Sequence, residues 1–159
     1  MKRAEAAGIA GYHINSKIHP DPDHLDATIL HTLEQHEADL VVLTGYLKKI
    51  GPKTLMAYRG RIINIHPSLL PRHGGQGMYG LRVHEAVLAA GEPATGVTIH
   101  RVEAEYDKGM VLAQRTVPVN PGDTAESLAG RVLVSEHALL VETVGKIARG
   151  EIPAYHVPQ

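Results

Sequence analysis

Asn64 and His66, two residues apart, are the side chains in this sequence best suited to do chemistry. Both lie on a segment that is predicted to be extended, and side chains in a strand alternate between two faces, so the two point to the same side. A neutral imidazole transfers protons near pH 7, and a fixed amide can donate to an oxygen that becomes negative in a transition state. Together these two groups are suited to acyl transfer.

A carboxylate that could act on this histidine follows later in the chain, at Asp107 in a polar turn between two predicted strands. A nearby carboxylate raises the pKa of a histidine because it favours the charged ring. Other roles stay open, since an Asn-x-His pair can anchor a strand end and an aspartate in a turn can cap its own backbone. Pro67 and Pro71 restrict the backbone after His66, which favours the catalytic interpretation.

The elements that must position these side chains alternate between helices and strands. The apolar runs 40–43 and 62–65 predict buried strands, as in a parallel sheet. Further strands are predicted at 10–14, 95–101 and 111–117, and helices at 1–7, 23–37, 52–58, 81–90 and 124–148. This order predicts an α/β fold with a mostly parallel sheet. Ligands of such sheets bind beyond the carboxyl ends of the strands, where both 45–48 and 64–67 lie.

Size and composition limit the classes of protein. A chain of 159 residues with 43% hydrophobic content predicts one domain, spanning 1–159. The net charge of -1 and the pI of about 6.8 give no indication of a nucleic acid or membrane partner. The chain has no cysteine, which excludes disulfides and thiolate chemistry. No apolar run is long enough for a membrane span or a signal peptide, so we expect a cytoplasmic protein.

The remaining histidines give no convincing metal site. There are 11 histidines in all, but those before residue 40 are scattered and lack a carboxylate cluster. His31 and His36 are five residues apart, so they do not share a helix face. We therefore expect no metal. His100 lies on a predicted buried strand and is interpreted as a hydrogen-bonded core residue, whereas the role of His73 stays open.

The segment Asn64–Pro71, with the sequence Asn-Ile-His-Pro-Ser-Leu-Leu-Pro, resembles the signature of the 10-formyltetrahydrofolate-dependent formyltransferases. The resemblance extends from about Arg3 to Gly150 and includes the Asp107 turn, 96–100 and 135–137. Within this family, Pro67 favours the branch that acts in purine biosynthesis over the hydrolase and methionyl-tRNA branches. The resemblance implies a Rossmann-like sheet.

The resemblance also implies a reaction, the transfer of a formyl group from 10-formyltetrahydrofolate to the amine of glycinamide ribonucleotide. Asn64 would donate to the oxyanion, and His66 would stabilise that charge or carry the proton. Asp107 would pair with His66 and raise its pKa. The residues implied in folate binding are Leu47, Lys48, Lys49, Ile50, Asn64, Glu103 and Asp107, and those implied in binding the second substrate are Pro67 and Glu136.

By the family pattern, this chain is expected to be incomplete at its N-terminus, without the first strand and the glycine-rich phosphate loop. That strand would lie beside the strand at 40–43, so we expect an exposed edge that a second copy or another partner strand could cover. Three functions therefore stay open. They are a shortened formyltransferase, a non-catalytic folate-binding or interaction module, and a formyltetrahydrofolate hydrolase.

Overall fold

The computed structural model describes residues 2–153, which form two compact units. The first unit comprises residues 2–38 and 50–57, and the second comprises residues 39–49 and the chain from residue 58 onward. None of the helices in the described part of the chain is long and apolar enough to cross a membrane.

The first unit is helical, with α1 at Lys2–Ala6, α2 at Pro22–Gln35 and α3 at Pro52–Ala57. The sequence predicts Asp23 as the cap of α2, but the cap is Asp21, which accepts a hydrogen bond from the Asp23 amide. The predicted strand at 10–14 does not form, because the structure gives that segment no neighbouring strand to take up its backbone hydrogen bonds.

A buried carboxylate joins α2 to α3. Asp26, only 3% exposed, accepts hydrogen bonds from the amides of Lys53 at 2.7 Å and Thr54 at 3.1 Å, and from the Thr54 hydroxyl at 2.6 Å. These amides belong to the first turn of α3, where the helix itself leaves them unpaired. Gly51 is required beside them, because an added Cβ would lie 2.1 Å from Asp26 Cγ.

The second unit contains a sheet and two helices. Its strands are β1 at Val41–Leu43, β2 at Ile62–His66, β3 at Ala94–Arg101 and β4 at Val111–Pro118, and its helices are α4 at Leu81–Ala89 and α5 at Ala125–Ala148. The four strands of the described chain follow the order β1-β2-β3-β4. Thr124 and Ser127 form a capping box at the start of α5, where the sequence predicts either Asp123 or Thr124 as the cap.

The predicted α/β class is confirmed, and β1 and β2 are parallel as expected. The sheet differs from the expected mostly parallel arrangement in its last two pairings, since β2–β3 and β3–β4 are antiparallel. The pairing of β3 with β4 is antiparallel because the turn between them is short and can join only antiparallel neighbours. A parallel crossover needs a longer connection.

The core of the second unit lies between the sheet and α5, which packs against β3 and β4. Its buried members are Ile63, Val87, Val97, Ile99, Val117, Leu128, Val132 and Leu139. Seven of the eight residues of β3 are buried, so β3 is the central strand of this core. The strand that carries Asn64 and His66 is therefore paired directly with the most buried strand of the unit.

A single hydroxyl on β3 fixes the segment that follows His66. Thr98 Oγ1 donates to the carbonyl oxygen of Ser68 at 2.7 Å and accepts from the amide of Leu70 at 3.0 Å. Gln114 Nε2 on β4 also donates to Thr98 Oγ1, at 2.9 Å. Since Thr98 is fully buried, these three bonds are protected from water and hold the segment against two strands.

Candidate active site

Strand β2 brings Asn64 and His66 to the same side of the sheet, as the two-residue spacing predicts. Asn64 lies opposite His100 in the β2–β3 pairing. Its amide nitrogen is 3.1 Å from His100 Nε2. His66 is 4% exposed, so its imidazole lies almost wholly inside the protein.

Asp107 reaches the same place from the turn between β3 and β4. Its Oδ2 atom is 3.7 Å from His66 Nδ1, and its Oδ1 atom is 3.3 Å from His100 Nε2. The backbone of Asp107 is left-handed, with φ of 54°, a conformation that aspartate tolerates better than most residues. The turn is tight, because a Cβ on Gly109 would lie 1.9 Å from the Arg101 carbonyl oxygen.

Asp107 stays ionised in this buried position. Burial opposes ionisation of its carboxylate, but the hydrogen bonds from His100 and the Gly75 amide outweigh it, so the pKa of Asp107 lies below its ordinary value. The charges of His66 and His100 act in the same direction. The Gly75 amide donates to Oδ2 at 2.8 Å. The structure therefore provides a fixed negative charge beside two imidazole rings.

His66 differs from the expectation in its net pKa. Asp107 does raise the pKa of His66 as expected, but burial is the larger effect and lowers the pKa below its ordinary value. His66 Nε2 donates to the carbonyl oxygen of His73 at 2.8 Å, because a carbonyl can only accept. The neutral ring therefore carries its proton on Nε2 and turns an unprotonated Nδ1 toward Asp107. This is the arrangement of a base.

His100 belongs to the site, although the sequence suggested only a core residue. Its Nδ1 atom donates to the carbonyl oxygen of Arg101 at 2.8 Å. Its Nε2 atom lies between two partners, the amide nitrogen of Asn64 at 3.1 Å and Asp107 Oδ1 at 3.3 Å. The amide of Asn64 carries two hydrogens that it can donate, so this nitrogen is suited to meet a ligand oxygen. The strand register that joins Asn64 to His100 is the signal that would have identified this residue.

Two loops of the second unit carry most of the residues expected to bind folate. Leu47, Lys48 and Lys49 are exposed on the loop after β1, and Glu103 is exposed on the loop after β3. The ammonium group of Lys49 lies 5.1 Å from the ring centre of Tyr106, which links the two loops. Ile50 belongs to the first unit and is half-buried.

The two residues expected to bind the second substrate lie on different elements of the second unit. Pro67 directly follows His66 at the end of β2 and is half-buried. Glu136 lies on α5, where it is also half-buried. Burial raises the pKa of Glu136 above its ordinary value, and the charge of His137 partly offsets that effect. A carboxylate held in this way gains from a cationic or amine partner.

The described residues contain no group of three or more histidine, aspartate or glutamate side chains arranged to hold a metal ion.

The buried histidines predict how stability depends on pH. Burial lowers the pKa of both His66 and His84 in the folded protein, and His66 further lowers that of His84. As pH falls, the histidines of the unfolded chain therefore bind protons before those of the folded protein, at the ordinary histidine pKa of about 6.5. Stability is fully present above that pKa and is lost as pH falls below it toward the folded pKa values. We expect the free energy of unfolding to decrease between about pH 7.5 and about pH 5.5, measured by urea unfolding.

The His84→Leu variant provides the control for this effect. His84 is 4% exposed and its Nδ1 atom has no hydrogen-bond partner among the described residues, so leucine removes a titrating group from a buried position without breaking a bond to Nδ1. The decrease in stability over the same pH interval should be smaller in this variant. An equal decrease in both proteins would contradict the assignment to buried histidines.

Comparison with known proteins identifies relatives of this chain. The sequence profile described as formyl transferase matches residues 1–144. The chloroplastic phosphoribosylglycinamide formyltransferase of Vigna unguiculata is 51% identical over 124 residues, which cover 78% of this chain and 40% of that protein. The phosphoribosylglycinamide formyltransferase of Escherichia coli is 33% identical over 152 residues, covering 96% and 69%. The chain thus spans less than half the length of the Vigna relative.

The structure agrees with these relatives. It superposes on the phosphoribosylglycinamide formyltransferase of Coxiella burnetii with a TM-score of 0.87 at 37% identity, covering 99% of this chain and 72% of the other. The expected α/β fold of the formyltransferase type is therefore confirmed.

Proposed function

The chain belongs to the formyl transferase family, and on that premise we propose that it transfers a formyl group from 10-formyltetrahydrofolate to the amine of glycinamide ribonucleotide. The observation that carries this proposal is the meeting of Asn64, His66 and Asp107 at the end of β2. They combine an amide donor, a neutral imidazole and an ionised carboxylate, which are the groups that formyl transfer needs.

The proposed reaction begins when the neutral amine attacks the formyl carbon. A carbon–nitrogen bond forms and the formyl oxygen becomes negative, and the Asn64 amide donates a hydrogen bond to that oxygen. The attacking nitrogen then loses a proton, and the unprotonated Nδ1 of His66 accepts it beside the carboxylate of Asp107. The same proton passes to N10 of the folate as the bond between the carbon and N10 breaks. The products are a formamide and tetrahydrofolate.

We further propose that the loops carrying Lys49 and Tyr106 bind the folate. The exposed lysines Lys48 and Lys49 offer positive charge for the carboxylates of the folate tail, and Tyr106 lies next to Asp107 in the chain. Glu136, whose pKa burial raises, is the proposed partner of the attacking amine. The single-domain organisation, the cytoplasmic location and a partner strand beside β1 stay predictions.

Folate binding can be tested separately from transfer. We expect Lys49→Ala to weaken the binding of a reduced folate by about fivefold, because the loop loses a charge and its contact with Tyr106. Isothermal titration measures this, with Lys17→Ala as a control that removes an exposed lysine from the first unit. Equal affinities in the two variants would contradict the proposed folate loop.

The reaction itself is tested by mixing the protein with 10-formyltetrahydrofolate, with and without glycinamide ribonucleotide. We expect tetrahydrofolate to appear only when the amine is present. Formate release without the amine would instead support the hydrolase. Folate binding with neither reaction would support the non-catalytic binding module.

A further inference from the structure

One short loop contacts both His66, the proton acceptor of the proposed reaction, and Asp107, the carboxylate beside it. The carbonyl oxygen of His73 accepts from His66 Nε2 at 2.8 Å, and the amide of Gly75 donates to Asp107 Oδ2 at 2.8 Å. Two backbone groups, two residues apart, therefore set the position of His66 relative to Asp107. Any contact that fixes this loop therefore also fixes the distance between His66 and Asp107.

The loop is held in a conformation that it would not favour alone. His73 has φ of 53°, and the left-handed conformation costs a residue other than glycine about 1 kcal/mol. One support is local, since the hydroxyl of Ser68 donates to the carbonyl oxygen of Arg72 at 2.6 Å. The carbonyl oxygen that faces His66 belongs to the residue with this unusual backbone.

A second support comes from outside the loop, at Glu92 between α4 and β3. Arg72 Nη1 donates to Glu92 Oε2 at 3.0 Å, and His73 Nε2 lies 3.5 Å from Glu92 Oε1. His73 Nε2 is buried and has no hydrogen-bond partner among the described residues, so Glu92 is the charge placed to compensate it. The amide of Glu92 donates to the carbonyl oxygen of Val87, which fixes Glu92 to the end of α4.

We propose that Glu92 is a positioning residue for His66, acting through Arg72 and His73 to hold the His73 carbonyl oxygen against His66 Nε2. This inference rests on the proposed function for its effect on catalysis. Glu92 touches neither of the proposed reacting groups. It determines which nitrogen of His66 carries the proton, and so which nitrogen is free to accept one.

Losing this support has a definite chemical consequence. Without the His73 carbonyl, a buried N–H of His66 loses its acceptor, and the ring can turn or take up the other tautomer. The hydrogen bond to His73 also raises the pKa of His66, so its loss lowers that pKa further. The titratable groups that face His66 are Asp107, His73, His84 and His100. None of these is changed by a substitution at Glu92.

The test compares Glu92→Gln and His73→Asn with the unchanged protein. Asparagine tolerates the left-handed backbone, so His73→Asn removes the pairing with Glu92 while sparing the turn. We expect both variants to lower kcat for formyl transfer by about tenfold with little change in KM for the folate. Glu142→Gln is the matched control, because it removes the same charge from ion pairs with Arg115 and Lys146 and should leave kcat unchanged.

A second measurement does not depend on catalysis. Nitrogen-15 NMR of the imidazoles across a pH titration reports the tautomer and the pKa of His66 in the free protein. We expect Glu92→Gln to lower that pKa and reduce the Nε2–H tautomer. Unchanged His66 signals in Glu92→Gln would overturn the proposal. Altered signals in a protein that transfers no formyl group would support it and reject the proposed function instead.

Discussion

Replacing His66 with alanine should lower kcat for formyl transfer by about 10³-fold, because the reaction loses the group that accepts the proton of the attacking amine. His66 is the buried imidazole whose neutral form presents Nδ1 to Asp107. When the imidazole is removed, Asp107 alone does not directly replace it as the base. Steady-state rates with saturating folate and amine measure the effect. KM for the folate should change little, since the loss falls on the transition state.

Folding must be checked in the same variant, because His66 is almost fully buried and alanine leaves a cavity. Circular dichroism and urea unfolding show whether the variant is folded at the assay temperature. His31→Ala is the control, since it removes an exposed imidazole from α2. A folded His66→Ala protein with near-normal kcat would reject the assigned role.

The largest expected effect on stability comes from Gly96→Ala, which should reduce the free energy of unfolding by about 3 kcal/mol. A Cβ at Gly96 would lie 2.2 Å from the carbonyl oxygen of Arg115 and 2.5 Å from Leu69 Cδ2. The carbonyl belongs to β4, so it cannot withdraw without disturbing the pairing of β3 with β4. Urea unfolding at neutral pH measures the change.

Gly130→Ala is the matched control for that substitution. Gly130 lies in α5, where a Cβ would meet no atom within 4 Å. Alanine is favoured over glycine inside a helix by about 1 kcal/mol, so this variant should be more stable than the original protein. If Gly96→Ala were as stable as Gly130→Ala, the result would contradict the close approach of β4 to Gly96.

Much of the fold could be predicted because its signals are local. The apolar run at 40–43 predicted β1, and the capping chemistry of Asp123 or Thr124 predicted the start of α5, where Thr124 is the cap. The antiparallel pairing of β3 with β2 could not be predicted in this way. Periodicity shows which face of a strand is buried, but the choice of neighbour depends on residues far apart in the chain. The segment 10–14 shows the same limit, since it was predicted as a strand but the structure pairs it with none.

For the site, too, the features that follow from local sequence could be predicted and those that depend on distant residues could not. The shared side of Asn64 and His66 follows from the period of a strand, and it needs no knowledge of the rest of the protein. The contribution of His100 depends on its register opposite Asn64, and that of His73 depends on a backbone carbonyl rather than a side chain. The net pKa of His66 also could not be predicted, because the sequence indicates the nearby charge but not the degree of burial that outweighs it.

The three hydrogen bonds of Thr98 have a consequence for motion in the site. Two of them join the segment after His66 to β3, whose residues are almost all buried, and the third joins β3 to β4. That segment can therefore separate only when the core strands separate. Its amides should therefore exchange with solvent as slowly as those of β3 in hydrogen–deuterium exchange. The loop after β1 and the loop carrying Asp107 lack this attachment to Thr98. Movement of those two loops can therefore admit a ligand while His66, the proposed proton acceptor, stays next to the segment that Thr98 holds.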